Sequence, residues 1–403
     1  MAAAHRSDDW RGVSKLTVDA VIAISDIAEM LHMTILRSSG RWVFGIDKPI
    51  GGITSLAYRS VRSVARLTGG SLDTALFKLA PLLVDTSRWP GRPALLAAIN
   101  GVLGDYLAES GNPLAIPMTV RHQGTELTLA PQALADTVPD AGSRLLVMVH
   151  GLCMNDRQWL RRGHDHGAEL AKVLGYTPLY LHYNSGLHIS HNGQSLDQML
   201  EDLVAIWPVK VTSLTLIGHS MGGLVARSAC HYASLSGHHW RSLLDKLICL
   251  GTPHHGAPLE RSGNWFHLLM DSNRYTAPFA RLGKLRSAGI TDLRHGSLLD
   301  EDWQSHDRFA HAGDQRQPVP LPAGVACYAA AAAVGDTTAK LGSQLAGDGL
   351  VPLDSALGQH SDPERSLNFP AEHCWIGYRM NHLDLLNRPE VYAQLKTWLQ
   401  AGT

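Results

Sequence analysis

A succession of short apolar runs, separated by stretches with helical spacing, constrains this chain more than any other feature. Leu145–Val149 is apolar at every position, as suits a strand covered on both faces rather than one with a wet side. Thr177–His182, Leu214–Ile217, Lys246–Leu250 and Val325–Ala333 follow it, and Gly167–Leu174, Ser195–Ile206 and Gly222–Ser234 lie between with apolar residues three and four apart. This alternation predicts an α/β architecture: a mostly parallel sheet with helices on both faces. Ahead of it, Met118–His122 and Glu126–Leu129 flank Gln123-Gly124 and read as a hairpin. A last helix is expected over Pro389–Leu399.

The first third has a different texture. From Lys15 to about Asp105 the pattern is helical, with Leu16–Leu36, Leu56–Leu67, Ser71–Val84 and Pro93–Leu107 separated by Gly and Pro. The sequence therefore divides into an N-terminal helical region, 1–112, and an α/β unit, 113–403. Asp19, Asp26, Glu29 and His32 interrupt Leu16–Leu36, so it reads as a packed or surface helix rather than a membrane span. A lipid-facing or partner-facing role for its wide apolar face is the alternative, but its polar face lacks the Lys/Arg of a membrane binder.

Composition narrows the partners. A formal net charge of -1 offers no electrostatic footprint for nucleic acid. The 5 cysteines are scattered without a CxxC pair, which argues against a disulfide framework or a zinc knuckle. No basic segment followed by an apolar run and a small-residue cleavage site opens the sequence. The expected setting is reducing and cytoplasmic, with peripheral membrane or lipid contact through the N-terminal helices or the cap as the alternative.

Chemistry is signalled at Gly218-His219-Ser220-Met221-Gly222. This pentapeptide follows the apolar Leu214–Ile217 and precedes the helix-forming Leu224–Ala229. In that strand–turn–helix context Ser220 is a candidate nucleophile, its hydroxyl exposed where a histidine can take its proton. The bland alternative is a tight structural turn. Amide donors for a developing oxyanion are expected from Met221 and, after the strand Leu145–Val149, from Leu152 in His150-Gly151-Leu152; His150 itself reads as loop-shaping.

An acid and then a base should follow the serine. Asp348, in Gly347-Asp348-Gly349-Leu350-Val351-Pro352, lies among turn residues after Val325–Ala333, with Asp336 and Asp354 as rivals. His382, on the loop before the last helix, is the expected base; His373 is the competitor, placed at the other end of the apolar Cys374–Tyr378.

At these residues the chain resembles the α/β-hydrolase superfamily, and more narrowly bacterial lipases and the PGAP1-like (GPI inositol-deacylase-like) esterases. The matching blocks are His150-Gly151-Leu152, GHSMGG at 218–223, GTPHHG at 251–256, GDGLVP at 347–352 and Asn381-His382-Leu383, within roughly 118–400. The resemblance implies an α/β-hydrolase fold, a Ser-His-Asp triad acting on carboxylic esters through an acyl-enzyme, and no cofactor. It also implies a lid: the stretch from about 254 to 325 far exceeds a minimal crossover and reads as a cap/lid insertion. Its apolar residues, Trp265, Phe266 and Leu269 among them, are candidates to line an acyl pocket; a helical excursion with its own small core is the alternative.

The absence of an export signal departs from lipases of this kind and favours an intracellular ester or thioester over bulk triglyceride. An acyltransferase or thioesterase with the same triad, or a non-catalytic binding protein of the same fold, are the competing readings. The 22 histidines fall mostly in expected loops and helix ends without the spacing of a zinc site, so no metal is expected.

Overall fold

The computed structural model describes residues 92–257, 287–304, 316–336 and 347–401. Among them the chain runs α1 (Arg92–Glu109), β1 (Thr119–His122), β2 (Thr125–Glu126), α2 (Pro131–Thr137), β3 (Arg144–Val149), α3 (His166–Leu174), β4 (Thr177–His182), α4 (Ile189–Ile206), β5 (Ser213–His219) and α5 (Met221–Ser236). Then come β6 (Leu244–Leu250), α6 (Ala288–His295), α7 (Glu301–Gln304), β7 (Ala326–Ala333), α8 (Leu353–Ala356), β8 (Cys374–Tyr378), a 3-10 turn at His382–Leu386, and α9 (Pro389–Gln400). The expected helices at 16–36, 56–67 and 71–84 lie outside the described residues.

The strands form one sheet in the order β2-β1-β4-β3-β5-β6-β7-β8. β1 pairs antiparallel with β2 and β4, and every pair from β4 to β8 is parallel. Gln123 (φ 48°) and Gly124 (φ 78°) make the hairpin turn, both central residues at positive φ as the right-handed twist of the flanking strands requires.

Side chains of the central strands alternate between two cores. Leu145, Val147 and Val149 of β3 pack with Leu196, Leu200 and Leu203 of α4 and Leu224 and Val225 of α5. Leu146 and Met148 turn the other way, with Leu170 of α3 and Val391, Leu395 and Trp398 of α9. A strand covered on both faces has no position for a polar side chain, hence the uninterrupted apolar run.

α1 joins the first of these cores: Leu95, Ile99, Leu103 and Leu107 are buried with the strands and with α4 and α5. Read with the N-terminal region from its sequence, it is an integral layer of the α/β unit. Its apolar residues lie all around the helix, as befits one enclosed by protein. Asn100, the polar exception, is buried and satisfied: its amide donates to Leu96 O and Leu114 O and its Oδ1 accepts from Ile116 N–H, at 2.8–2.9 Å.

Candidate active site

The site lies where the strand order reverses. From β3 the chain steps out to β4, then crosses back over β3 to β5. The carboxyl ends of β3 and β5 therefore open onto a crevice that their diverging connections leave uncovered, the usual ligand position in such sheets. Ser220 follows β5 directly, and His150-Gly151-Leu152 follows β3.

Ser220 holds φ 55°, ψ -124°, a conformation costing a non-glycine residue about 1–3 kcal/mol. Several contacts impose it. The Ser220 amide donates to Leu250 O of β6 at 2.8 Å, and the chain reverses at once into α5. Gly218 and Gly222 permit the turn: a Cβ on Gly218 would strike the backbone of Gly223, and one on Gly222 would strike Val149 O and His150 O. Met221 is the first residue of α5, so its N–H belongs to the helix-end donors that no turn of helix can satisfy.

Asp348 and His382 are in direct contact. His382 Nδ1 lies 2.6 Å from Asp348 Oδ2, and the His382 amide donates to Asp348 O at 3.2 Å. The other carboxylate oxygen, Oδ1, accepts from Leu350 and Val351 amides at 2.9 and 2.8 Å. With Nδ1–H donating to the carboxylate, Nε2 carries the lone pair, and this buried atom has no hydrogen-bond partner among the described residues. The ring packs on Gly251, where an added Cβ would sit 3.1 Å from both Cε1 and Nδ1. Leu250 and Gly251 thus touch both groups, Ser220 through its amide and His382 through its ring.

The His382 turn is anchored twice. Asn381 Oδ1 accepts from the Leu383 and Asp384 amides while Asp384 Oδ2 accepts from Asn381 N–H, a reciprocal cap. His166 Nε2 lies 3.1 Å from Leu385 O.

The rivals are engaged elsewhere. Asp336 forms an exposed bidentate pair with Arg379 at 2.6 and 2.8 Å, Asp354 is exposed on α8, and His373 Nδ1 lies 3.0 Å from Cys327 O at the far end of β8.

The loop after β3 is rigidly held. His150 is fully buried, stacks on Tyr183 at 4.3 Å, and its carbonyl accepts the Tyr183 hydroxyl at 2.7 Å. Burial lowers its pKa to about 3, which keeps it neutral. Cys153 stands at φ 58° with its amide donating to Ser185 Oγ at 3.0 Å. Leu152, between them, is buried. From behind, Gly101 of α1 presses so closely on Cys153 that an added Cβ would collide with its Sγ.

Three supporting residues escape sequence reasoning. His219 lies with its ring 4.7 Å from that of His382 and its Nε2 3.2 Å from His382 O; its place beside Ser220 was the only signal. The α1 glycines at 101 and 104 were a visible pattern, but their partners, Cys153 and Asn184, are 52 and 80 residues away. Trp265, Phe266 and Leu269, the candidate acyl-pocket residues, lie outside the described residues. Among the described residues no three His, Cys, Asp or Glu side chains gather as a metal site, and no helix is long and apolar enough to cross a membrane.

Residues 141–319 match the model of the PGAP1-like alpha/beta domain. The fold is that of an α/β-hydrolase. The match spans β3 to the segment before β7 and includes the β3 loop and the Ser220 elbow, whereas Asp348 and His382 lie beyond it. No curated protein matches the chain in sequence. Among solved structures, the mature form of a Bacillus licheniformis lipase is similar at 18% identity over 64% of this chain and 91% of its own, with a TM-score of 0.39. A lipase-esterase related protein from Clostridium acetobutylicum is similar at 13% identity (64% and 94% covered, TM-score 0.34) and a Pyrobaculum calidifontis esterase at 14% (64% and 77%, TM-score 0.37).

Proposed function

We propose that this α/β-hydrolase cleaves carboxylic esters by nucleophilic catalysis at Ser220. The observation that carries the reading is the 2.6 Å contact between Asp348 and His382 Nδ1, which leaves His382 Nε2 as a buried, unpartnered acceptor. Among the described residues His150 and His219 also have a buried ring nitrogen without a partner, but their other nitrogen faces only a backbone carbonyl. A ring held by a carboxylate at Nδ1 and open at Nε2 is what a general base requires.

In the proposed reaction the Ser220 hydroxyl gives its proton to His382 Nε2 as Oγ attacks the acyl carbon. Asp348 stabilises the imidazolium and holds the ring's tilt and tautomer. The tetrahedral oxyanion accepts from the amides of Met221 and Leu152, donors already fixed by the α5 terminus and the braced β3 loop, so little reorganisation is needed as charge develops. His382 then protonates the departing alcohol, and a water activated by the same nitrogen hydrolyses the acyl-enzyme. The chain's own side chains suffice, and no cofactor enters the scheme.

The test is labelling by a fluorophosphonate probe followed by hydrolysis of p-nitrophenyl esters of increasing acyl length, with Ser220→Ala as control. Labelling at Ser220 and loss of turnover in the variant are expected. A folded protein that neither labels nor hydrolyses any ester would overturn the proposal, and acyl transfer to an added alcohol or thiol in preference to water would reassign it to an acyltransferase.

A further inference from the structure

A second polar site lies further along α5 and shares no lining residue with Ser220, Asp348 or His382. Arg227, two turns along the helix from Ser220, is only 3% exposed. Its Nη1 lies 3.2 Å from His254 Nδ1 and its Nη2 donates to Val319 O, while no carboxylate contacts it among the described residues. A buried charge without a counter-charge is among the most unfavourable arrangements in a protein interior. Burial lowers the Arg227 pKa only to about 10, so the group is charged at neutral pH.

The hydrogen bond to His254 determines a tautomer. A guanidinium only donates, so His254 Nδ1 accepts. Burial and the neighbouring Arg227 hold His254 well below the usual histidine range and hence neutral. Its one ring proton is therefore on Nε2, and among the described residues this Nε2–H is buried without an acceptor. The buried Arg227 Nε–H has no acceptor among them either. Two orphaned donors thus belong to residues that line one cavity of about 30 Å³, roughly twice the space a single water needs.

Arg316, Arg365 and Asp302 also line the cavity; Arg365 is paired with Asp362 at 3.5 Å, and Arg316 donates to His254 O and Gly296 O. The Asp302 oxygens accept from the amides of Leu298, Leu299 and Gln317 at 2.8–3.1 Å, so its charge is directed at backbone donors. His255 contributes an unpartnered Nδ1, an acceptor, because its Nε2 faces Gly358 O at 3.0 Å. Among the described residues the donors left over at this cavity are therefore those of Arg227 and His254.

We propose that this cavity binds one small anion, of halide or carboxylate size, accepting from Arg227 Nε–H and His254 Nε2–H. The anion would neutralise the buried guanidinium and tie α5 to the loops at 254–256 and 316–319. It is distinct from the Ser220 site and does not depend on the ester-hydrolase reading.

The test uses the full chain equilibrated in sodium gluconate, whose anion is too large for the cavity, at constant ionic strength. Chloride, formate, acetate and phosphate then replace gluconate while the melting temperature and the chloride NMR line width are followed. A saturable rise in melting temperature by a few degrees, and excess chloride line width displaced by formate or acetate, are expected. Which of these competes best distinguishes a halide from a carboxylate occupant. Arg227→Met and, separately, His254→Leu should abolish both responses with the far-UV spectrum unchanged, while Ser220→Ala should retain them. Should neither variant fold, the wild-type competition series decides alone. Equal melting temperatures in chloride and gluconate, with no chloride line width in excess of a protein-free solution, would overturn the proposal and leave a water-filled cavity; displacement by phosphate but not formate or acetate would overturn the assigned size.

Discussion

Lowering the pH should destabilise this protein well before its carboxylates titrate. His150 and His166 are fully buried, and burial lowers the pKa of each to about 3. In the unfolded chain each titrates near the ordinary 6.5. The unfolded state therefore binds more protons below that value, and stability falls as pH drops through it, continuing until the folded pKa is reached. At about pH 5.5 an unfolded histidine is roughly nine-tenths protonated while its buried counterpart stays neutral, a loss of about 1.4 kcal/mol each. The pair loses about 3 kcal/mol, a large share of a typical stability of about 5–15 kcal/mol.

His219 and His254, also held well below the usual range by burial, add losses of the same sign. His238, favoured in its charged form by the hydrogen bond to Asp197, and Asp292, whose carboxyl burial pushes up, run the other way and offset part of this. Urea unfolding followed by tryptophan fluorescence at about pH 7.5 and about pH 5.5 measures the difference, and His166→Gln should shallow the dependence by about one proton. Equal free energies of unfolding at the two pH values would refute the reasoning, since they would mean that these rings are protonated in the folded state.

Other outcomes follow from single contacts. Ser220→Gly removes the hydroxyl from a residue at φ 55° and should abolish ester turnover while stabilising the fold by about 1 kcal/mol, read as a raised urea midpoint. Asp348→Asn, which removes the charge facing His382 Nδ1, should reduce kcat on the order of 10⁴-fold with little change in KM. Gly222→Ala forces a Cβ onto Val149 O and His150 O and should cost about 3 kcal/mol or more, seen as loss of soluble protein or a lowered melting temperature. Gly101→Ala pushes α1 against Cys153 and should lower kcat more than it raises KM, because the β3 loop and its amide move while Ser220, Asp348 and His382 stay in place; an unchanged kcat would deny α1 that bracing role.

Local pattern was enough for the sheet. Periodicity located β4 at Thr177–His182 without error, and β5 and β6 to within two residues at each end, because a strand buried on both faces must be apolar throughout and a covering helix must show its stripe. The elbow was equally readable: Gly218, Ser220 and Gly222 meet a steric requirement set by their immediate neighbours in the chain. Asp348 and His382 could be singled out as partners as well, since turn residues after a strand leave few positions for an acid or a base, and the two side chains lie 2.6 Å apart.

What lay beyond the sequence depends on groups distant along the chain. Asn100, Gly101 and Gly104 looked like an ordinary helix until Cys153 and Asn184 packed against it, so α1 could not be assigned to the α/β unit from its own residues. His219 beside His382, and Arg227 beside His254, are likewise pairs made by the fold. Helical spacing and strand alternation report which face of an element is buried, but not against what. The strand order alone brings Ser220 and the β3 loop to one crevice, and tertiary packing alone decides that a carboxylate faces His382 and that, among the described residues, none faces Arg227.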